Sequence, residues 1–303
     1  MGVFGRFRRR TRHLPGGQWS WERFNTPSNA SLPVSDGRRH LSQVPYLLPK
    51  DVLETQRLDF QFYLIRSILH GNHASPLRSD LASILDVGCG TGRWVIEMAR
   101  TFPGAQVVGL DIEPPPQSAQ ALSPIARFVR ANLLDGLPFA DRSFDFTHQR
   151  LLVLAIPAVH WPLVVGELVR VTRPDGYVEL LEGGDVFHNA GPATQRFLAR
   201  WREASRARGF DTSLMERLGR LLLDAHLRDV QMRTLQVPVG KWGGHAGALL
   251  EKNILAGFPA LKSLLCAHLS LPPEAFDATL AELAAKGDRY QTSYQYYLVY
   301  GQR

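Results

Sequence analysis

Cysteine, long apolar runs and metal-ligating clusters are the scarce features of this chain. Its 303 residues include 2 cysteines, too few for the disulfide framework of a small secreted domain. No stretch approaches the roughly 20 uninterrupted apolar residues of a membrane-spanning helix, and no Cys/His spacing indicates a metal site. With 45% apolar residues, the chain can bury a sizeable core, and we expect it to work in the reducing cytoplasm.

Acidic residues are absent from the first twelve positions, which hold five arginines of a chain with net charge +7. The basic excess therefore belongs to the terminus. Residues 1–40 add Pro and Gly with little periodicity, a composition typical of disorder. We interpret them as a solvated tail, although Phe4 and Phe7 among the arginines leave weak contact with a membrane surface or nucleic acid open. No apolar signal region and no hydroxyl residue at position six occur, so we expect neither secretion nor myristoylation.

A glycine-rich turn at residues 86–92, Asp-Val-Gly-Cys-Gly-Thr-Gly, is the most informative motif. An apolar run of strand type, residues 81–85, precedes it, and an apolar pattern of helical spacing follows it. A dinucleotide loop needs glycine where Arg93 stands. A phosphate-binding P-loop needs lysine after Gly92, and none follows. The remaining pattern, G-x-G-x-G after an acid, indicates a nucleotide-sized cofactor in contact with the main chain.

This pattern resembles that of class I S-adenosylmethionine-dependent methyltransferases, and the resemblance covers residues 80–182. It implies a doubly wound, mostly parallel, seven-stranded α/β sheet of Rossmann-like type. It also implies S-adenosylmethionine as the cofactor, with Gly88 and Gly90 close to its amino-acid part, Asp86 near its ammonium group and Gly92 as a further contact. A glycine turn that only packs a helix on a sheet is the alternative interpretation.

The second predicted strand, residues 106–110, ends in an acid that fits the same cofactor. Asp111 lies 19 residues after Gly92, where a carboxylate can accept hydrogen bonds from both ribose hydroxyls. The resemblance implies that Asp111 binds the ribose and that its neighbour Ile112 packs on the adenine.

Polar residues follow the third predicted strand, residues 126–130. The resemblance implies that Asn132 and the backbone N–H of Leu133 contact the adenine edge. This loop is one residue longer than the commonest family version, so Asp135 is an alternative to Asn132. We favour Asn132.

The fourth predicted strand, residues 143–148, ends beside the expected cofactor. The resemblance implies that Gln149 and Arg150 border the methionine part of the cofactor and the substrate. A sulfonium methyl is already activated, so alignment of the acceptor, worth roughly 7–11 kcal/mol, can suffice. For a hydroxyl or acidic carbon a base would add roughly 10²- to 10⁴-fold. His148 is the best-placed histidine for that role, with an ordinary packed or solvated histidine as the alternative.

Ordered structure is expected from Tyr46 onward. Asp51 and Glu54 have the spacing of a helical capping box. The segment from Tyr46 to Gln61 resembles the lead-in of a methyltransferase branch associated with secondary metabolism, which includes fungal regulators of that metabolism. The resemblance implies that Tyr46 and Arg57 close the cofactor pocket. A helix that only covers a sheet edge is the alternative.

Two further strands are predicted after the fifth strand, residues 177–182. The insertion at residues 240–288 separates them, where a plain member of the fold needs only a hairpin. We expect this insertion to form a substrate lid. The last strand, residues 290–300, alternates tyrosines on one face, which indicates core packing and leaves one tyrosine hydroxyl near the site as an alternative.

Together these patterns predict one enlarged domain over residues 41–303 behind the basic tail. It comprises an N-terminal cover (41–77), a cofactor-binding core (80–182) and the lid (240–288). The predicted function is in-line transfer of a methyl group from S-adenosylmethionine to a small molecule, a secondary metabolite. The sequence predicts no oligomeric state and does not name the atom that accepts the methyl group.

Two alternatives to this function stay open. The first is a cofactor-binding regulator or partner-binding module that transfers no methyl group. The second is an RNA or DNA methyltransferase. The near-balanced charge outside the tail argues against the second, as does His-Gln-Arg-Leu at residues 148–151, where many nucleobase enzymes carry Asn-Pro-Pro-Tyr.

Overall fold

A computed structural model describes residues 34–35, 38–41, 46, 48–113, 115, 125–262, 265–266 and 272–303. The predicted disordered tail therefore lies almost wholly outside the described residues, as do parts of the predicted cover and lid. No helix in the described ranges combines the length and the apolar character that crossing a bilayer requires.

One seven-stranded sheet organises the described part of the chain. Its strands are β3 (Ser83–Val87), β4 (Gln106–Asp111), β5 (Ala126–Arg130), β6 (Phe144–Arg150), β7 (Thr172–His188), β8 (Arg228–Pro238) and β9 (Ser293–Gln302). A small hairpin of β1 (Val34–Ser35) and β2 (Arg38–Arg39) precedes them. The strand order is β5-β4-β3-β6-β7-β9-β8, in which only β9 runs antiparallel to its neighbours. The predicted doubly wound, mostly parallel α/β fold is confirmed.

Helices connect the strands and cover both faces of the sheet. They are α1 (Val52–Leu69), α2 (Arg93–Thr101), α3 (Trp161–Val171), α4 (Pro192–Ala207), α5 (Leu218–Asp224), α6 (Gly244–Gly257) and α7 (Pro273–Tyr290). Short 3₁₀ turns cover Leu133–Asp135, Ala158–His160, Thr212–Arg217, Lys241–Gly243 and Phe258–Leu261. The predicted lid region is thus largely helical, and α6 packs against α1.

The core lies on both faces of the parallel strands. β3 is buried at every position, as expected for a parallel strand with helices on both faces. On one face Trp161 and Leu168 of α3 enter the core cluster, and on the other Trp94 and Met98 of α2 do so. Each fully buried side chain of this size contributes about 1.5–3 kcal/mol. These two clusters hold the ends of the central strands in place.

Helix α1 begins where the sequence predicts it. The Asp51 carboxylate accepts the N–H of Glu54 at 2.9 Å. The reciprocal half of the predicted capping box does not form, because the Glu54 carboxylate binds the Arg57 guanidinium at 2.6 and 2.8 Å instead. A buried carboxylate gains more from a bidentate arginine than from one backbone N–H.

Strand β7 is longer than the sequence predicts. The predicted helix stop at residues 173–176 lies within it, with Asp175 at φ 64° and a register shift against β6. At its far end β7 continues beside β9 as far as the pair His188 and Ser293. β7 pairs with β6 only as far as Leu181 and then continues beside β9 alone. It therefore extends the sheet past the carboxyl ends of the parallel strands.

Candidate functional site

A first cavity opens at the carboxyl ends of the parallel strands. It occupies about 1080 Å³, its open mouth included. Its wall takes Gly88 after β3, Asp111 from β4, Asn132 after β5 and Arg150 from β6. β3 lies between β4 and β6, so the cavity sits where the strand order reverses, the usual ligand position in doubly wound sheets.

The predicted glycine turn forms one side of the first cavity and requires its glycines. φ is 73° at Gly88, 54° at Gly90 and 74° at Gly92, values that favour glycine. A Cβ atom would lie 2.6 Å from Leu152 Cδ2 at Gly88 and 2.7 Å from Phe128 Cε1 at Gly92. Side chains are therefore excluded, and the main chain of the turn can approach a ligand.

Backbone hydrogen bonds anchor the turn to β4. The N–H groups of Gly88 and Cys89 donate to the Leu110 carbonyl at 2.7 and 3.0 Å. The Cys89 side chain packs on β4 so closely that a Cβ at Gly109 would lie 2.9 Å from its Sγ. Burial raises the pKa of the Cys89 thiol, which keeps this side chain a small apolar filler.

Asp111 is the acid that the sequence assigns to a ribose. Its Oδ2 accepts the N–H of Gly90 at 2.9 Å, and its Oδ1 accepts the N–H of Glu113 at 3.0 Å and Nζ of Lys50 at 3.4 Å. Burial lowers the pKa of Lys50, but Asp111, Tyr46 and Glu113 together outweigh burial, so the pKa of Lys50 is raised. Each carboxylate oxygen accepts about two hydrogen bonds, so Oδ2 can still accept one from a ribose hydroxyl.

Ile112, Asn132 and Leu133 also line the first cavity, next to Asp111. Asn132 Oδ1 accepts the N–H of Leu134 at 3.1 Å, which caps the 3₁₀ turn and leaves the amide NH₂ as a donor. Asp135 is exposed and is not among the described lining residues. This placement favours Asn132 over Asp135 for an adenine contact.

The lead-in covers the first cavity. Tyr46 and Lys50 line it, and burial raises the pKa of Tyr46 to about 12. Arg38 binds the Asp51 carboxylate, which ties the β1–β2 hairpin to the start of α1. The lead-in therefore does more than cover a sheet edge.

Asp86 and His148 form a buried pair in the sheet. Asp86 is 3% exposed and His148 1% exposed, and Nδ1 of His148 lies 2.8 Å from Oδ1 of Asp86. The Trp94 ring stacks on the imidazole with ring centroids 4.0 Å apart. Neither member of the pair is among the described lining residues of a cavity. The structure thus places His148, the expected base, inside the sheet, where its ring contacts Asp86 and packs on Trp94; its role as a base stays a prediction.

Gln149 lies on the opposite face of β6 from Arg150, because side chains alternate along a strand. Its Nε2 donates to Glu182 at 3.3 Å. Glu182 also accepts the N–H groups of Leu152 and Val153 at 2.9 and 3.0 Å, and burial raises its pKa to about 7 against these hydrogen bonds. Gln149, expected beside the cofactor, is instead fully buried behind the turn that follows β6.

A second cavity of about 1000 Å³, open solvent included, adjoins the first. The two cavities share the wall residues Tyr46, Leu58, Gln61 and Leu151. Most of the rest of the second wall comes from α1, β7, α4, α6, β9 and the 3₁₀ turn Phe258–Leu261. Its further aromatic members are Phe187, Trp201, Phe258, Tyr294 and Tyr296. The structure thus brings two tyrosines of the last strand to the site, an outcome that the sequence left open.

Arg57 lines the second cavity and not the first, contrary to the expectation that it closes the cofactor pocket. Its Nη1 donates to Asn253 Oδ1 of α6 at 3.1 Å, while its other donors bind Glu54. The guanidinium therefore joins the lead-in helix to the insertion. Its partner across the cavity could not be seen from sequence, because the two residues are 196 positions apart.

Asp185 is a wall residue that sequence reasoning missed. It is 4% exposed, and its Oδ2 accepts Arg202 Nε at 2.7 Å and Thr212 Oγ1 at 2.8 Å. Gly183 beside it allows Tyr294 to approach, since a Cβ there would lie 2.3 Å from the tyrosine hydroxyl oxygen. The sequence signal that could have found it is an acid that follows two glycines within a strand. An acid in a buried strand needs a partner, because acids are rarely buried unpaired.

The chemistry of the first cavity fits S-adenosylmethionine. A carboxylate at Asp111 suits the ribose, and Ile112 with Leu133 offers an apolar surface for the adenine. The exposed main chain of the glycine turn and the cation of Arg150 suit the amino-acid part. Within the described residues no group of three or more His, Cys, Asp or Glu could hold a metal ion.

Comparisons with known proteins agree with this chemistry. Residues 84–176 match the model of a family described as a methyltransferase domain. Over 271 residues the chain is 27% identical to methyltransferase str2 of Strobilurus tenacellus, covering 85% of this chain and 95% of that protein. Over 274 residues it is 24% identical to N-methyltransferase verN of Clonostachys rogersoniana, covering 85% and 92%.

A solved structure of similar fold is that of a putative methyltransferase from an antibiotic biosynthesis pathway of Anabaena variabilis. The TM-score is 0.50 at 17% identity, and the match covers 80% of this chain and 96% of that one. The family match contains both the glycine turn and Asp111, and the relatives carry the similarity across nearly their whole length. The chain is therefore a class I S-adenosylmethionine-dependent methyltransferase.

Proposed function

We propose that this enzyme methylates a small, largely apolar molecule of secondary metabolism that binds in the second cavity. The observation that carries the proposal is the wall of four residues, Tyr46, Leu58, Gln61 and Leu151, that the two cavities share. A molecule in the second cavity can then meet the methionine end of a cofactor in the first without entering bulk water.

The lining of the second cavity defines the acceptor chemistry. Aromatic rings such as Trp201 and Phe258 favour a flat or apolar body. Burial raises the pKa of Tyr296, so its hydroxyl stays protonated and can donate. The Asp185 carboxylate can accept a hydrogen bond. These groups suit an apolar acceptor that carries an N–H or O–H group.

Transfer in this arrangement depends on alignment. S-adenosylmethionine supplies a methyl group that is already activated on its sulfonium. The chain itself must hold the acceptor in line and exclude water, and such positioning is worth about 7–11 kcal/mol. Tyr46 and Leu58 belong to the lead-in above both cavities, so they are placed to exclude water. Asp185 is placed to hold the proton-bearing group of the acceptor.

The resemblance of the lead-in to a secondary-metabolism branch supports the metabolic class. The shape of the second cavity supports a small molecule over nucleic acid. Its wall is largely apolar and aromatic, and its buried cation Arg57 is already paired with Glu54. A nucleic-acid site requires a basic groove that follows phosphates.

A labelling experiment identifies the acceptor. The purified chain is incubated with trideuteromethyl-labelled S-adenosylmethionine and an extract of its source organism, and products are compared by mass spectrometry with an unlabelled reaction. We expect the label in a small molecule of low polarity. Label found only in RNA, DNA or protein would contradict the proposed acceptor class. Tight cofactor binding without any labelled product would instead favour a regulatory module.

A further inference from the structure

Arg150 is a half-buried cation of the first cavity without an acidic partner among the described residues. It is the last residue of β6, and its guanidinium carbon lies 5.0 Å from the centroid of the Phe62 ring. Burial lowers its pKa to about 10, with the charge of Asp86 opposing this shift. A charge that is largely removed from water and has no close counter-ion is costly, so this position calls for an anion that arrives with a ligand.

The other two cations in the wall already have carboxylate partners. Lys50 Nζ lies 3.4 Å from Asp111 Oδ1, and Arg93 Nη2 lies 3.1 Å from Asp59 Oδ2. In the part of the chain that the structure describes, no ion pair is found for Arg150. Among the described lining residues of this cavity, Arg150 is therefore the cation that is free to bind a ligand anion.

The sheet register places Arg150 at the amino-acid end of the expected cofactor. Val87 of β3 pairs with Gln149 of β6, so Gly88 and Arg150 leave the sheet side by side. Asp111 lies on the other side of β3, at the end of β4. A cofactor whose ribose meets Asp111 and whose chain crosses the glycine turn therefore ends beside Arg150.

We propose that Arg150 binds the carboxylate of the cofactor's methionine part. A guanidinium matches a carboxylate with two parallel hydrogen bonds. Arg150 does not line the second cavity, so its ligand is the cofactor and not the acceptor. The proposal rests on the cofactor alone and holds whichever acceptor the enzyme uses.

Two ligands that differ in one carboxylate test the proposal. The affinities of the full chain for S-adenosylmethionine and for decarboxylated S-adenosylmethionine are measured by isothermal titration calorimetry, without acceptor. Hydrogen bonds between charged groups predict that Arg150→Met weakens S-adenosylmethionine binding by roughly 10- to 100-fold. The affinity for the decarboxylated ligand should stay the same or rise, because its cationic charge no longer meets Arg150.

Arg93→Met is the matched control, since it removes a cation from the same wall that already has a partner. It should leave the ratio of the two affinities unchanged, and retained binding of the decarboxylated ligand shows that Arg150→Met is folded. Equal weakening of both ligands by Arg150→Met would overturn the proposal and assign a structural role. An unchanged affinity for S-adenosylmethionine would overturn it as well.

Discussion

The first and second cavities share a wall but are assembled in different ways. The first draws Gly88, Asp111, Asn132 and Arg150 from the ends of consecutive parallel strands. The second joins segments as far apart as Tyr46 and Tyr296, and it needs α1, α4 and α6 to pack around β7 and β9. Cofactor binding is thus a property of the central sheet, and acceptor binding a property of what covers it. The two should therefore respond separately to substitution.

Filling the second cavity should produce the largest difference between the effect on methyl transfer and the effect on cofactor affinity. Gly257 lines it and has helical angles, φ −86° and ψ −41°. A Cβ there meets Arg57 Cδ at an ordinary 3.5 Å. Gly257→Leu should displace the acceptor and lower methyl transfer by about 100-fold or more, while the affinity for S-adenosylhomocysteine stays unchanged. Labelled transfer and calorimetry measure the two effects.

Gly166→Leu is the control for this substitution. Gly166 is exposed on α3, and a Cβ there would have no heavy atom within 4 Å. This variant should retain both transfer and cofactor affinity. If Gly257→Leu also lost S-adenosylhomocysteine binding, the two cavities would not be separable.

Glu182, which holds the turn after β6 next to the shared wall, should make stability depend on pH. Burial raises the pKa of Glu182 from 4.5 to about 7, so the folded protein keeps a proton that the unfolded chain releases in this range. The resulting stabilisation is fully present below pH 4.5 and is lost as the pH rises to about 7, by about 3 kcal/mol. Glu182→Gln should remove this dependence of the free energy of unfolding on pH, which urea unfolding at several pH values measures. An unchanged pH dependence in this variant would contradict the raised pKa of Glu182.

The predicted ribose contact gives the next effect. Asp111→Ala should weaken S-adenosylhomocysteine binding by roughly 10- to 100-fold, because hydrogen bonds to a charged group are lost. Asp135→Ala is the control, since this exposed acid lies in the neighbouring turn without lining the cavity. Calorimetry should show a change only for Asp111→Ala. Equal affinities in the two variants would move the ribose site elsewhere.

The smallest effect concerns the start of the lead-in helix, which covers both cavities. Asp51→Ala removes the N-cap of α1 and should lower the free energy of unfolding by about 1 kcal/mol. Asp80→Ala removes a carboxylate from the exposed pair with Arg78, which should change stability by less than about 0.5 kcal/mol. Urea unfolding measures the stability of both variants. Equal stability would show that the Asp51 N-cap does not stabilise α1.

Local patterns predicted the first cavity well. The glycine turn follows β3 and opens α2, where the spacing placed it. Asp111, Ile112, Asn132 and Leu133 all line the cavity, because residues just past parallel strands meet at one edge of the sheet. Their contacts with a bound cofactor stay predictions.

Four expected side chains do not line the first cavity, those of Asp86, His148, Gln149 and Arg57, each for a physical reason. Gln149 faces away from the cavity because β6 alternates its side chains and Arg150 takes the open side. His148 is held by Asp86 and Trp94. Arg57 is drawn to Glu54 and to the insertion. Pattern and spacing place a residue at the right strand end, but competition among buried neighbours decides where its side chain points.

The sequence by itself determined the cofactor and the fold that holds it, because the glycine turn and the acid at the end of β4 are local requirements of one ligand. Tertiary structure alone decided the second cavity and left Arg150 without an acidic partner in the described part of the chain. Both depend on which distant segments pack together and on which buried charges find partners, such as Arg57 with Asn253 across 196 positions. Short-range sequence patterns do not predict such long-range pairs.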